Sequence, residues 1–299
     1  MSIRHKKLAY YVLDVFTNEL YQGNPLSVVC TNEDLEIQEY HKIAREFGYS
    51  ETSFIYYSAV EKSLKVRSFT PIGIEVGGAG HNLLGAVYFA LLKNWEIFSQ
   101  QESERYVIMK DKSIPLFIKY DLNDTLFVSM LQQPASLLGN VPAEAVAQAI
   151  SLHPNDLVLK NWKPEIVKTE VTHLMVPVKN IDRLNQVLSN KVLLSQLAEE
   201  YGFEGCYCFT FPENETTNIA QSRFFNPGIG IDEDAATGSA AGPLAGFLHN
   251  KGYILLNKDY TILQGVEMGQ PSIIQFRVSN EGVWISGSAV IVMEGSLYL

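Results

Sequence analysis

Glu46, His81, Asp234 and Ser239 are the residues of this 299-residue chain whose types and surroundings suit proton transfer and the holding of a small anion. Glu46 sits in Ala44-Arg45-Glu46-Phe47-Gly48, which reads as the last turn of a helix before a glycine cap. The helix dipole disfavours negative charge there, and an apolar neighbour such as Phe47 withdraws water; both effects favour a carboxyl that holds its proton, as general acid–base work near neutral pH requires. His81 follows Gly80 at the start of an apolar helix, where it either donates a hydrogen bond to a ligand or caps the helix. Asp234 opens Asp234-Ala235-Ala236-Thr237-Gly238-Ser239. There Thr237, Gly238 and Ser239, with the free N–H groups of a helix start, form a candidate carboxylate site. Each residue also has a plain structural role open to it: an exposed glutamate, a capping or packed histidine, a turn aspartate, capping hydroxyls.

Other chemistries find little support. Neither glycine segment contains G-x-G-x-x-G or a P-loop lysine, so there is no nucleotide fingerprint. No His/Cys/Asp cluster has metal-ligand spacing, and neither a metal nor a cofactor is expected. Ser239 is not in a G-x-S-x-G elbow. The acidic run Asp232-Glu233-Asp234 reads as a solvated turn with one functional carboxylate. Cys30, Cys206 and Cys208 lie in apolar strand-like runs, and Cys206 and Cys208 share one strand face. They read as reduced core residues of a cytoplasmic protein.

The elements that must carry these residues repeat. Arg67-Ser68-Phe69-Thr70-Pro71 precedes a glycine-rich stretch ending in Gly80-His81-Asn82 and then an apolar run. Arg223-Phe224-Phe225-Asn226-Pro227 precedes a second such stretch, ending in Thr237-Gly238-Ser239, and a second apolar run. Two related lobes follow from this layout, each ending a strand with R-x-F-x-P and opening a helix with small residues. Period-2 and β-rich runs predict strands at Leu8–Phe16, Leu26–Cys30, Ser53–Tyr57, Leu64–Phe69, Tyr106–Met109, Leu116–Tyr120 and Leu126–Met130. In the second half they predict strands at Ile166–Glu170, Leu174–Val178, Cys206–Phe211, Ile219–Phe225, Tyr260–Gln264, Ser272–Val278, Val283–Ser286 and Val290–Met293. Helical spacing or apolar runs mark Asp34–Phe47, Leu83–Leu92, Pro142–Ala149, Ile181–Leu188, Val192–Tyr201 and Ala240–Leu248. Gln132–Gly139 reads as a crossing between lobes. The helices at Leu83–Leu92 and Ala240–Leu248 are nearly all apolar and must be surrounded.

Hydrophobic residues make up 46% of the chain and charged residues 19%, which fits a soluble globular protein with real cores and argues against disorder. The formal net charge of −10 repels a polyanion, which argues against nucleic acid as partner. Arg4-His5-Lys6-Lys7 is too short a basic cluster to change that. No apolar run approaches the length of a membrane span, and no signal peptide is read at the N-terminus, so the sequons at Asn123 and Asn214 carry little weight.

Taken together, the segments resemble the phenazine biosynthesis PhzF-like family. The resemblance rests on Asp14-Val15-Phe16 with Gly23-Asn24-Pro25, on Ala44-x-Glu46 followed by Ser50-Glu51-Thr52-x-Phe54, and on Arg67-x-Phe69-Thr70-Pro71 with Glu75. It continues through Gly80-His81 and Asp234-x-Ala236-Thr237-Gly238-Ser239-Ala240 with Gly242-Pro243-Leu244, over nearly the whole chain. It implies an α+β fold of the diaminopimelate epimerase-like type: two pseudo-symmetric lobes, each a mostly antiparallel sheet wrapped around a central helix. The lobes would comprise residues 1–131 plus 288–299, and residues 132–287. The resemblance further implies a cofactor-independent isomerase, typically a homodimer, acting on trans-2,3-dihydro-3-hydroxyanthranilate or a similar small carboxylate. Glu46 would carry the proton, with His81, Asp234, Gly80, Thr237, Gly238 and Ser239 binding and orienting the substrate.

Racemases of the same fold use two opposed cysteines; the corresponding positions here, Ala79 and Ala235, cannot move protons. Asn82-Leu83-Leu84 after Gly80-His81 departs from the small or hydroxyl residues common in the family. Two other functions stay open: a racemase or epimerase using groups other than cysteine, and a non-catalytic small-carboxylate binding protein.

Overall fold

The computed structural model describes residues 6–78, 80–95, 105–121, 123–212 and 217–299. Ala79, Asn214, Arg4 and His5, considered above, lie outside the described residues. By its internal contacts the chain divides into two compact units, Met1–Met130 with Ser286–Leu299, and Leu131–Ile285.

In the first unit, β1 (Lys7–Val15) and β2 (Asn24–Cys30) pair antiparallel. Gly23 makes the turn into β2 possible: its φ is +75°, and a side chain there would strike the Val15 carbonyl oxygen. The helix α1 (Ile37–Phe47) buries Tyr40, Ile43 and Ala44. It stops where Gly48 turns left-handed at φ +70° and returns its N–H to the Ala44 carbonyl. Next, β3 (Thr52–Ser58) runs parallel to β2 and antiparallel to β4 (Ser63–Phe69). The short β5 (Glu75–Val76) folds back on β4. It leads into α2 (His81–Leu92), buried from His81 through Ala90 and packed against β1 to β4. Then come β6 (Arg105–Met109), parallel to β4, and the antiparallel β7 (Lys112–Tyr120) and β8 (Leu126–Gln132).

The second unit opens with β9 (Ser136–Asn140), α3 (Ala143–Ala149), β10 (Glu165–Lys168) and β11 (Thr172–Pro177), with β10 antiparallel to both strands. Two helices, α4 (Ile181–Asn185) and α5 (Lys191–Tyr201), precede β12 (Gly205–Thr210), which is parallel to β11. β13 (Ala220–Asn226) pairs antiparallel with β12 and with β14 (Ile231–Asp234). After these comes α6 (Gly238–Asn250), buried from Ala240 through Leu248. β15 (Asp259–Gln264) is parallel to β13, and β16 (Ser272–Val278) is antiparallel to β15. β17 (Val283–Gly287) follows, and β18 (Ala289–Tyr298) pairs with β1.

The repeat in the sequence is a repeat of topology. In each unit an antiparallel pair leads to a helical segment and a parallel strand, then to a strand ending in R-x-F-x-P. A short return strand, a buried helix and another parallel strand complete the pattern. Most pairings are antiparallel, with β2–β3, β4–β6, β11–β12 and β13–β15 the parallel exceptions among the described residues. The fold is the α+β, helix-in-sheet type expected.

Local expectations are corrected in four places. Gln132–Gly139 is not a plain crossing: Gln132 ends β8, and Ser136–Asn140 form a strand on β10 across a register shift at Ile166/Val167. A β-bulge and Gly139 at φ +133° hide that strand's alternation. The acidic run is not a solvated turn but the strand β14, because its side chains are committed to partners. The helix from Ile181 ends at Asn185, short of Leu188. Pro142 stands at the N-cap of α3, not in its first turn.

Candidate active site

The duplicated arginine explains how each helix start is approached. On β4, Arg67 makes two parallel hydrogen bonds to Glu75 on β5, at 2.8 and 2.9 Å. Its guanidinium lies 4.6 Å from the Tyr40 ring centre and 5.2 Å from that of Phe69. On β13, Arg223 makes the same fork with Glu233 on β14, at 2.8 and 2.7 Å, and lies 5.1 Å from the Phe225 ring centre. In both units a bidentate pair fastens the short return strand five residues before the glycine that opens the helix.

In the first unit, Asn82 explains its own departure from the family pattern. Its Oδ1 accepts from the N–H groups of Gly80 (2.9 Å) and Leu83 (2.8 Å), and its Nδ2 donates to the Gly78 carbonyl (3.3 Å). A side chain thus satisfies two donors that a helix start would otherwise offer to an anion. Ser53, hydrogen-bonded to Ser68, donates to the Asn82 carbonyl and holds this turn from below. His81 begins the helix but does not cap it. It is buried, with Nδ1 3.4 Å from Glu51 Oε2 and Nε2 3.4 Å from Ser50 Oγ. Burial lowers its pKa to about 3, so the imidazole is neutral. A carboxylate at Nδ1 favours the tautomer with its proton there. Glu46 occupies the last turn of α1 and is exposed. The enclosure by Phe47 expected for it is therefore absent within this unit, because Phe47 turns its ring to Tyr10, 5.1 Å away between centres.

In the second unit, the loop from Asp234 to Thr237 is tied from the end of β15. Asp234 is buried and accepts from Thr237 Oγ1 at 2.6 Å. Gln264 accepts from Thr237 N–H (3.2 Å) and donates to the Asp234 carbonyl (2.8 Å) and to Thr237 Oγ1 (3.0 Å). Tyr207 donates to Gln264 at 2.8 Å, and Ser222 donates to Tyr207 at 2.8 Å. Thr237 holds the N-cap position of α6 without a side-chain cap bond; its hydroxyl is spent on Asp234. Gly238 and Ser239 form the first turn of α6, where backbone N–H groups lack intrahelical partners. The other two acids of the run are structural: Asp232 pairs with Lys191 at 2.6 Å and Glu233 with Arg223.

The structure therefore gathers Gly80 and His81 with Ser50 and Glu51, and Asp234, Thr237, Gly238 and Ser239 with Gln264. Glu46 lies on α1 of the first unit. Sequence reasoning missed Glu51 as the partner of His81 and Gln264 as the anchor of Asp234, since no spacing rule links residues 30 apart in the chain. It also missed the arginine forks, whose signal was present in Glu75 and Glu233, eight and ten residues after the paired arginines. Strand register pairs Ser68 with Val76 as it pairs Phe224 with Asp234, so the first unit has no carboxylate at the place of Asp234.

A second buried histidine has the same electrostatic character. His173 accepts from Gly205 N–H at 3.1 Å and packs edge-on to Phe224, and burial lowers its pKa to about 3. At His81 in one unit and His173 in the other, the folded chain binds fewer protons than the unfolded chain between pH 6.5 and about 3. The stability these two sites contribute is complete above that window and falls as pH drops through it. The expected loss at pH 5 is about 2 kcal/mol for each histidine. Urea midpoints at pH 7.5 and pH 5 check this, and equal midpoints would refute it.

The phenazine biosynthesis-like family model, PhzC-PhzF, matches residues 13–295. The chain belongs to this family. An uncharacterized isomerase of Clostridium acetobutylicum is 33% identical, with 98% of this chain and 99% of the relative covered. The trans-2,3-dihydro-3-hydroxyanthranilate isomerase of Pseudomonas aeruginosa is 29% identical over 97% of this chain and 99% of its own length. A PhzF-family protein of Bacillus anthracis superposes with a TM-score of 0.88 at 24% identity, covering 98% of this chain and 100% of that one, which shows the fold. This PhzC-PhzF protein is accordingly an isomerase. Among its described residues no helix is long and apolar enough to cross a membrane.

Proposed function

We propose that the chain moves a proton between carbons of a small amino or hydroxy carboxylic acid resembling dihydrohydroxyanthranilate, without a cofactor, using Glu46 as both base and acid. The observation that carries this reading is the match along 97% of the chain to an isomerase of trans-2,3-dihydro-3-hydroxyanthranilate. The Glu46 carboxylate takes a proton from an activated carbon, the C–H electron pair enters the adjacent unsaturated system, and the same carboxyl returns a proton at a second carbon. Neutral His81, with its Nδ1 proton turned to Glu51, offers Nε2 as an acceptor without adding charge. Asp234 accepts from a substrate amino group, and Ser239 with the first N–H groups of α6 receives the carboxylate.

The test is proton NMR of the protein with dihydrohydroxyanthranilate in D2O. Exposed Glu46 exchanges its proton with solvent, so the expected result is loss of substrate signals with deuterium entering the product. Binding without deuterium entry would instead favour a non-catalytic carboxylate-binding protein. No binding and no reaction would discard this substrate class.

A further inference from the structure

We infer that Gln264 is a positioning residue for Asp234, locking its carboxylate through Thr237 into one hydrogen-bonding role toward the substrate. The inference rests on the assignment of Asp234 to the substrate made above, and it goes beyond it by naming the group that aims Asp234.

The orientation of the Gln264 amide is not a free choice. One side of it meets a backbone N–H, that of Thr237, and the other meets a backbone carbonyl, that of Asp234. Only Oε1 can face the first and only Nε2 the second, so the backbone itself excludes the flipped amide. Everything after that is determined. Nε2 donates to Thr237 Oγ1, so the single hydroxyl proton of Thr237 is left for Asp234 Oδ2. On the far side, Oε1 accepts from Tyr207, whose oxygen accepts from Ser222. The chain runs one way, Ser222 to Tyr207 to Gln264 to Thr237 to Asp234, with each donor pointing at the next acceptor. Its end state is an Asp234 whose Oδ2 must accept. Gln264, Tyr207 and Ser222 are all buried, so water does not compete for these bonds. The next residue, Gly265 at φ +79°, lets the strand end approach the Ala235 carbonyl more closely than any side chain would permit.

The internal repeat supplies a control. Register equates Gln264, opposite Ser222, with Met109, opposite Val66, and equates Asp234 with Val76. The first unit thus has neither the amide nor the carboxylate. A clamp needed only to hold the return strand on the sheet would serve both units; the amide is present where the carboxylate is.

The test uses Gln264→Met, which keeps the volume and removes all four bonds, and Gln264→Glu, which keeps the two acceptor contacts, sets an oxygen against the Asp234 carbonyl and competes with Asp234 for the Thr237 hydroxyl proton. Each is compared with the parent for melting, for kcat and KM with dihydrohydroxyanthranilate from about pH 5.5 to 9, and for the carboxyl 13C titration of Asp234, identified by its absence in Asp234→Asn. Without the Gln264 amide the Thr237 hydroxyl is no longer held on Asp234, and weakening that bond disfavours the ionised carboxylate. The expected result is therefore a kcat lower by roughly 10- to 100-fold with KM changed less than about threefold. The acid limb of the kcat profile and the Asp234 titration should both move to higher pH. If Gln264→Met does not fold, Gln264→Glu is read alone, with displacement in the same direction. A folded variant with parent-like kcat, or one whose kcat falls while limb and titration stay in place, overturns the proposal. A parent that ignores dihydrohydroxyanthranilate defeats the substrate reading instead, and the 13C titration still decides the role of Gln264.

Discussion

Glu46→Gln is expected to melt at or slightly above the parent temperature and to lose about 10²- to 10⁴-fold in kcat. The two halves of that expectation have separate causes. Glu46 is exposed in the last turn of α1, and glutamine has nearly the same helix propensity and volume. Removing a negative charge from a helix C-terminus is worth a few tenths of a kcal/mol in favour of the fold, about 0.3–1 at most. No hydrogen bond or ion pair that anchors α1 is lost, since the helix is held by Tyr40, Ile43 and Ala44 and by its Gly48 cap. The chemistry has no such tolerance: an amide neither takes a proton from carbon nor returns one. Substrate affinity should change much less than kcat, because the amide oxygen still accepts hydrogen bonds. Steady-state kinetics with dihydrohydroxyanthranilate decide the matter. Activity within about tenfold of the parent would remove Glu46 from the mechanism and point to Glu51, the carboxyl beside His81.

The arginine forks should look alike in sequence and behave differently in stability. Arg223→Ala is expected to cost about 3–5 kcal/mol, and Arg67→Ala about 1–2 kcal/mol. Arg223 has only 8% of its side chain exposed, against 28% for Arg67. Besides its fork to Glu233, Arg223 Nη1 donates to three carbonyls, those of Leu184 (3.1 Å), Asn185 (3.2 Å) and Val187 (2.9 Å). Its removal strands a half-buried carboxylate and the end of α4 together. Arg67 adds to its fork a 3.6 Å contact with exposed Asp34, which water replaces readily. Urea unfolding of the two variants measures the difference, and equal costs would show that burial does not set the value of these pairs.

Much of this arrangement was legible in the residues. The apolar runs Leu83–Leu92 and Ala240–Leu248 had to be enclosed, and the paired R-x-F-x-P segments announced a duplicated unit. Gly48 ended α1 as a glycine cap should. What stayed hidden was whatever depended on strand register. Gln264 carries no local signal: it lies 27 residues from Thr237, and only the parallel pairing of β13 with β15 brings it near. Asn82 looked like an intrusion into a ligand site, and its use as an internal cap depends on a side-chain rotamer that no pattern encodes. Glu46 was read with an apolar cover that Phe47 does not give it, because Phe47 packs toward Tyr10. Strand β9 was missed because a bulge breaks its alternation.

The pairing of β1 with β18 has a consequence for biosynthesis. The first unit is built from both ends of the chain: β18 lies along β1, and the Leu299 N–H reaches the Lys6 carbonyl. At ribosomal speeds of about 5–20 residues per second, β18 emerges roughly 15–60 s after β1. The second unit, residues 131–285, is complete before that strand arrives. The earlier-translated unit thus cannot close before the later one has been made, and until then it waits with one edge of β1 open to chaperones or to other nascent chains.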